Sequence, residues 1–242
     1  MPFLRLRELD WRRALAEVAL IFIGITLALY FDNWNEDRKE RALERQLLVE
    51  MRDDLVETRM DLERDIEALS LRQELLYDLQ VELSAGAIPD AEWASRLYTT
   101  VGGARLFSKD SAYRALTSQG LGVLSDPGLR KALTDFYGLR VQRVEVFEGL
   151  RDVFLQQEFM PFFSEVMQVS PAWLETRLAG REHLPGLDRV EPISGEALAV
   201  DPRLPLLMFR ASATMRSVLS FYELALADID ALLPRIDKAL ES

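Results

Sequence analysis

The stretch Trp11–Glu36, WRRALAEVALIFIGITLALYFDNWNE, decides how this chain is organised. Residues 14–31 form an apolar run broken only by one acid, Glu17, and one threonine, and Trp11 and Trp34 flank the run. On a helix that rises 1.5 Å per residue the two tryptophans lie about 35 Å apart, which suits a hydrocarbon core of about 30 Å with aromatic rings at headgroup level. The pattern predicts a transmembrane helix over residues 14–31.

Two alternatives compete with this prediction. A cleavable signal peptide needs small residues three positions and one position before the cut, and Ala28-Leu29-Tyr30 fails because Tyr30 is large. A buried helix of a soluble protein stays open, because the run is at the short end of the spanning range. Glu17 lies near the end of the run, where it can reach the headgroups or pair with Arg13. The alternative is an acid that serves a relay or a partner helix.

Residues 1–13 form a short basic tail, and basic residues are equally frequent on the two sides of the predicted span. They are Arg5, Arg7, Arg12 and Arg13 before it and Arg38, Lys39, Arg41 and Arg45 after it. The α-amino group and the two arginines at the apolar edge favour a cytoplasmic N-terminus. We expect a single-pass protein of a bacterial inner membrane, with its large C-terminal part outside the cytoplasm.

The composition limits what the rest of the chain, residues 32–242, can be. Apolar residues make up 49% of the 242 residues, which is enough for a sizeable core. There is no cysteine, which excludes disulfides, thiol catalysis and cysteine-ligated metal sites. The net charge of −11 argues against nucleic acid as a partner, because phosphate binding needs clustered Lys and Arg.

A long helix is predicted for residues 33–84, where no proline or glycine occurs and helix-forming residues dominate. Leucines recur every seven residues along it, at Leu48, Leu55, Leu62, Leu69, Leu76 and Leu83. The companion row three residues on is polar in its middle, at Thr58, Asp65 and Arg72. A two-stranded coiled coil is therefore a weaker prediction than packing against the last helix of the same chain.

Two further long helices are predicted, over residues 127–160 and 206–241, with an irregular Gly- and Pro-rich connection over 180–205. The last helix carries two heptad rows, Met215, Tyr222, Ile229, Ile236 and Leu219, Leu226, Leu233, Leu240. No stretch alternates as a strand does. The predicted fold is all-α, with an N-terminal transmembrane helix that continues into a long stalk helix and packs in a multi-helix bundle.

The order of these helices predicts the place of two apolar clusters, residues 159–163 and 204–209. If the stalk rises from the membrane, the helix after Pro127 is expected to run back down toward it. Both clusters would then meet at the membrane-proximal end, where they close the base of the bundle or touch the bilayer. The alternative is that they are plain core.

Two stretches resemble a known family. The first contains Glu17-Val18, Ile23-Gly24-Ile25, Leu27-Ala28-Leu29 and Asn33-Trp34-Asn35-Glu36. The second contains Ala112-Tyr113, Leu116, Ser118, Gly120, Leu124, Asp126, Leu129-Arg130 and Phe136-Tyr137. They are similar to the signature G-E-I-x-L-V-x-I-G-I-x-I-A-L-x-x-N-N-W-N-E and to a looser second pattern of bacterial single-pass membrane proteins of unknown function. Ala16 and Asp32 depart from the signature. The resemblance implies a membrane-anchored helical protein and no activity.

The strongest candidates for a contact with the membrane interface or a partner are Glu17, Gly24, Ala28, Asn33, Trp34, Asn35 and Glu36. The small residues Gly24 and Ala28, four apart, permit close approach of another helix. Two amides and a carboxylate beside Trp34 suit a lipid headgroup or a neighbouring subunit. The alternative is that Trp34 only anchors the helix at the interface.

The sequence offers little catalytic chemistry. His183 is the only histidine, and it falls in the Gly- and Pro-rich connection, which is typical of a surface loop. Nucleophile, nucleotide-binding and di-metal carboxylate motifs are absent. We therefore predict no catalytic, metal or cofactor-binding residue.

The expected function is that of a membrane-anchored scaffold or accessory protein that acts by binding. Its predicted partners are the bilayer, through the N-terminal helix, and either a second copy of the chain or another membrane protein. The alternative is an envelope- or lipid-directed enzyme without a recognisable motif. A large apolar pocket with convergent acids would favour that alternative.

Overall fold

The computed structural model describes residues 11–178 and 189–241, and the fold within them is all-α, as the sequence predicts. The first helix, α1 (Trp11–Ser84), runs without a break from the predicted transmembrane segment into the stalk. It ends where Gly86 adopts a φ of +89°, a conformation that glycine reaches without steric cost. By length and composition α1 can cross a membrane.

Short helices follow α1. They are α2 (Ala91–Thr100), α3 (Ser111–Gln119) and a 3₁₀ turn (Leu121–Val123). Asp90 begins α2 by accepting a hydrogen bond from the Trp93 amide at 2.8 Å. This acceptor satisfies one of the free amides at a helix start.

The predicted helix from Pro127 is one rod of five segments that continues to Val166. The segments are α4 (Pro127–Asp135), a first π-helical turn (Phe136–Arg140), α5 (Val141–Phe154), a second π-helical turn (Leu155–Phe159) and α6 (Met160–Val166). The rod continues through Pro161 without ending. The wider π-helical turn before it leaves room for the proline ring and does not need the N–H group that proline lacks.

The remaining elements are β1 (Met167–Val169), α7 (Pro171–Leu178), β2 (Val190–Pro192), α8 (Gly195–Ala199) and α9 (Arg203–Glu241). The strands pair antiparallel, with Met167 opposite Pro192. The sequence predicts no strand, because three residues are too few to show alternation. The described part of the predicted irregular connection therefore contains β2 and α8, whereas His183 lies outside the described residues.

Both α1 and the rod run antiparallel to α9. Arg45 donates to the Leu240 carbonyl at 2.6 Å, and Arg59 pairs with Asp230 at 2.9 Å. Along the rod, Arg140 pairs with Asp228 at 2.6 Å, and Arg203 with Glu165 at 2.9 Å. The start of α9 therefore lies at the end of the bundle far from the N-terminal arm.

The leucine edge of α1 packs against α9, and this prediction is confirmed. Leu48, Leu55, Leu62, Leu69 and Leu76 are buried, and Leu83 is half-buried. On α9 the predicted row Met215, Tyr222, Ile229, Ile236 is buried. The second buried row is Val218, Ala225, Leu232 rather than the leucines one residue on, which are half-buried.

The predicted direction of the rod is wrong. Ser125 donates from its amide and its hydroxyl to Glu44 at 2.7 and 2.8 Å, so the rod starts at the end of the bundle near residues 15–42 of α1 and runs away from it. The two apolar clusters do meet, in a core with Leu76 and Leu79, but at the distal end. The cause is that residues 101–126 carry the chain back down α1 before the rod begins.

Candidate functional site

The seven predicted contact residues all lie on the N-terminal arm of α1, residues 15–42, where every side chain is exposed. Trp34 keeps 53% of its surface. In the described chain, the side chains of the seven make no hydrogen bond or ion pair with the bundle. The arm therefore leaves them free for contacts outside this chain.

Helical geometry brings only four of the seven to one side of the arm. At 100° per residue, Glu17, Gly24, Ala28 and Asn35 fall within about 40° of each other, whereas Asn33, Trp34 and Glu36 point elsewhere. A Cβ at Gly24 would meet no atom within 4 Å. The small Ala28 lies in a shallow groove that Ile25, Leu29, Phe31 and Asp32 border.

Sequence reasoning missed a buried polar cluster in the middle of the bundle. The carboxylate of Glu148 is 3% exposed and accepts hydrogen bonds from the Leu106 amide, at 2.7 Å, and from the Tyr222 hydroxyl. Burial raises the pKa of Tyr222, and the hydrogen bond to Glu148 adds to the effect. Tyr222 therefore stays protonated and serves as a donor.

Arg151 completes this cluster from the next turn of α5. Its guanidinium is buried, donates to the Ala104 carbonyl at 2.8 Å and pairs with Asp152 at 3.1 Å. A Cβ at Gly103 would lie 2.6 Å from its Cζ, so a larger residue there would displace the guanidinium. The cluster fastens residues 103–106 to the rod and α9. Its polar atoms already have partners, which is typical of a structural role.

A sequence signal for the cluster existed. Glu148 and Arg151 share a face of the rod with Val144 and Phe154, at helical spacing, and all four are buried. An apolar residue of the same turn, Leu150, is instead 55% exposed. Counting the helical period strictly would have placed the two charged residues on the buried face of the rod.

The polar middle of the α1 heptads has a second structural role. Thr58 accepts a hydrogen bond from the Lys109 amide at 3.0 Å, and Arg72 donates to the Gly102 carbonyl at 2.7 Å. Asp54 accepts from the Ala112 amide at 3.0 Å, at the start of α3. The polar companions therefore hold residues 101–126, the descending segment, which explains why a second apolar row is missing there.

A groove of about 470 Å³ opens between the rod and α9, beside the first π-helical turn. Its floor is apolar, formed by Ala132, Phe136, Leu139, Ala231 and Leu232. Four basic and two acidic residues surround the floor: Lys131, Arg140, Arg143, Arg235, Asp135 and Asp228. Such π-helical turns occur frequently at functional sites.

The groove is locally basic although the chain is acidic overall. Lys131 pairs with Asp135, and Arg140 pairs with Asp228, which leaves two cations. Arg143 and Arg235 make no ion pair in the part of the chain that the structure describes. The groove therefore combines an apolar floor with two arginines outside its ion pairs, Arg143 and Arg235. The charge of Arg235 also acts on Asp126: backbone hydrogen bonds, and to a smaller extent this guanidinium, lower the pKa of the Asp126 carboxyl.

Raised carboxylate pKa values and metal ligands do not converge on this groove. Burial, with the nearby Asp61, raises the pKa of Asp65, which lies on α1 away from the groove. Within the described residues, no three His, Cys, Asp or Glu side chains come together as metal ligands would.

Comparison with known proteins gives no relative: no protein-family model, curated protein or solved structure matches this chain.

Proposed function

We propose that this protein is a membrane-anchored interaction module that acts by binding, as a scaffold or accessory subunit. The observation that carries the proposal is the arm of α1, where apolar side chains surround the helix and all are exposed. A helix that is apolar all round is stable when lipid or protein covers it. No other part of the described chain covers it.

In the proposed arrangement residues 14–31 cross a bacterial inner membrane once. Arg12 and Arg13 lie on the cytoplasmic side and the bundle lies outside the cytoplasm. Residues 32–42 then hold the bundle about 16 Å above the bilayer, at 1.5 Å per residue. The exposed residues Asn33, Trp34, Asn35 and Glu36 fall at the interface, which suits headgroup contacts.

Binding rather than catalysis is proposed because of how the polar groups are arranged. The buried Glu148 and Tyr222 are bonded to each other. The groove is open, and its carboxylates are paired with cations. The resemblance of the arm to single-pass membrane proteins of unknown function is consistent with this proposal and adds no activity.

A pair of C-terminal fusions tests the anchor and its orientation. Alkaline phosphatase is expected to be active at the C-terminus and a fluorescent protein to be dark, and carbonate is expected to leave the chain in the membrane. The opposite reporter pattern would reverse the orientation. Release by carbonate would contradict the anchor.

Within the membrane we propose that a partner helix meets the side with Glu17, Gly24 and Ala28, since small residues let backbones approach closely. The partner is a second copy or another membrane protein. Replacing Gly24 by leucine is expected to lower crosslinking between arms, whereas Leu27→Ile, on a different side of the helix, leaves it unchanged. Equal crosslinking in both variants would contradict this side as the contact.

A further inference from the structure

Within residues 11–178 and 189–241, a row of apolar side chains lies uncovered on the outer face of the rod. Leu139, Val146, Leu150 and Val153 recur at helical spacing and are each about half exposed, between 49% and 59%. Together they span about 21 Å at 1.5 Å per residue. Their spacing is the pattern by which one helix receives another.

The row begins at the basic groove. Leu139 belongs to both, and Arg143 lies between Leu139 and Val146 on the same face. The outer face of the rod therefore offers an apolar row with unpaired positive charge at its membrane-proximal end. The chain as a whole carries a net charge of −11, so this local excess of cations stands out.

The bilayer that holds the anchor is too far away to cover this face. Asp228 and Asp230 lie near the level of Arg59, which is 28 residues beyond Phe31 on α1. At 1.5 Å per residue that level is about 42 Å above the end of the span. A lipid headgroup of the same membrane therefore does not reach Arg143.

We propose that this face, Leu139 to Val153 with Arg143 and Arg235, docks an amphipathic acidic helix of a partner protein. The apolar side of that helix covers the row, and its carboxylates pair with the two arginines. The inference deepens the proposed function and rests on it, because it names the partner chemistry of a binding module. Charge complementarity and an unpartnered apolar row both point to this occupant.

A displayed library of 18-residue helices tests the inference directly. Each member has leucine at the a and d positions and Glu, Lys or Gln at the others, and the full-length protein in nanodiscs is the bait. Selection is expected to enrich glutamate over lysine at positions flanking the leucines. The double variant Arg143→Glu with Arg235→Glu is expected to reverse that preference. The arm variant Lys39→Glu with Arg41→Glu, with the same charge change, is expected to leave it unaltered.

A second pair of variants tests the row. Val146→Asp with Leu150→Asp is expected to weaken binding of the best selected helix about tenfold or more, because both positions contact the ligand. Met60→Asp with Leu71→Asp, equally exposed on α1, is expected to leave binding unchanged. Thermal melts of these two double variants and of the two charge-reversal variants check that the bundle stays folded.

Three outcomes would overturn the inference. They are the absence of any selected helix, enrichment of lysine or glutamine instead of glutamate, and a preference that the arginine variants do not change. A further outcome is that the protein forms concentration-dependent dimers that Val146→Asp with Leu150→Asp dissociates. That result would show that a second copy of the chain, not an acidic helix of another protein, binds the outer face of the rod. Resistance to carbonate is independent of all these results, so failure here is distinguishable from failure of the membrane anchor.

Discussion

The two halves of α1 share one backbone and differ in everything around it. In the arm, residues 15–42, side chains are exposed on every side, and the apolar ones surround the axis. In the stalk, residues 43–84, leucines are buried along one edge while charged residues face outward. Residues 15–31 of the arm need an apolar environment that the rest of the described chain does not supply. The stalk obtains its environment from α9 and the descending segment.

The comparison shows that the spacing of apolar residues, rather than helix propensity, determines what each half of α1 packs against. Apolar residues all round suit lipid, whereas an apolar edge every seven residues suits a neighbouring helix. A substitution in one half should therefore leave the other half intact.

Leu62→Asp is expected to unfold the bundle, because Leu62 is 0% exposed and the change buries a charge in the α1–α9 core. The loss is about 4 kcal/mol or more. Leu71→Asp, the same change at a side chain 60% exposed on the same helix, is the control and should cost well under 1 kcal/mol. Thermal melts by circular dichroism measure both. Folded monomers released from a dimer by Leu62→Asp would instead favour the coiled coil.

Ile23→Asp is expected to weaken insertion of the arm by about 3 kcal/mol, because a carboxylate at mid-span is costly. The melting temperature of the bundle should not change. Carbonate extraction measures insertion, and Arg38→Asp beyond the span is the control. A lower melting temperature in detergent would mean that the arm packs on the bundle, against the independence of the two halves.

Tyr222→Phe is expected to lower the stability of the bundle by about 1–2 kcal/mol, because the buried carboxylate of Glu148 loses a donor. Glu148→Ala should cost more, because the Leu106 amide is then unpaired as well. Glu145→Ala, exposed on the same helix, is the control. Chemical denaturation measures the three. Equal stability of Glu148→Ala and Glu145→Ala would contradict the structural role of the cluster.

The smallest effect concerns the distal ion pairs. The Arg203 guanidinium lowers the pKa of Glu165 and of Asp201 below their ordinary values of 4.5 and 3.8. Both carboxylates are ionised more readily when folded, so their contribution is complete above about pH 5 and is lost as the pH falls through the lowered pKa values. Arg203→Gln should flatten stability on the acid side in melts between pH 3 and 7. An unchanged slope would contradict the pairing.

Particular residues show how much of this could be predicted. The heptads of Leu48 to Leu76 and of Met215 to Ile236 indicate the α1–α9 contact, because each row is a local pattern. The direction of the rod is not local, since it depends on where Ser125 meets Glu44. The polar residues Thr58 and Arg72 indicated that the second heptad row of α1 is interrupted. Only the structure shows that the descending segment packs there.

The candidate sites divide in the same way. Glu17, Gly24, Ala28 and the residues around Trp34 could be predicted because they lie within or beside one local apolar run, and the structure leaves them exposed. The basic groove was not predictable, because Arg143 and Arg235 are far apart in sequence and meet through the antiparallel packing of the rod and α9. Residue patterns within one helix therefore predict which face of that helix is buried or exposed. A site formed between two helices can be predicted only when the packing of those helices is known.

Spin-label accessibility along α1 in lipid vesicles tests the central claim most directly. The chain has no cysteine, so a single introduced cysteine carries the only label at each position. Labels at residues 20–30 are expected to be accessible to dissolved oxygen but not to a water-soluble nickel complex. Labels at 36–42 should meet the nickel complex, and labels at Leu48, Leu55 and Leu62 should meet neither. Nickel accessibility throughout residues 20–30 would contradict an arm in the membrane joined by one helix to a folded bundle.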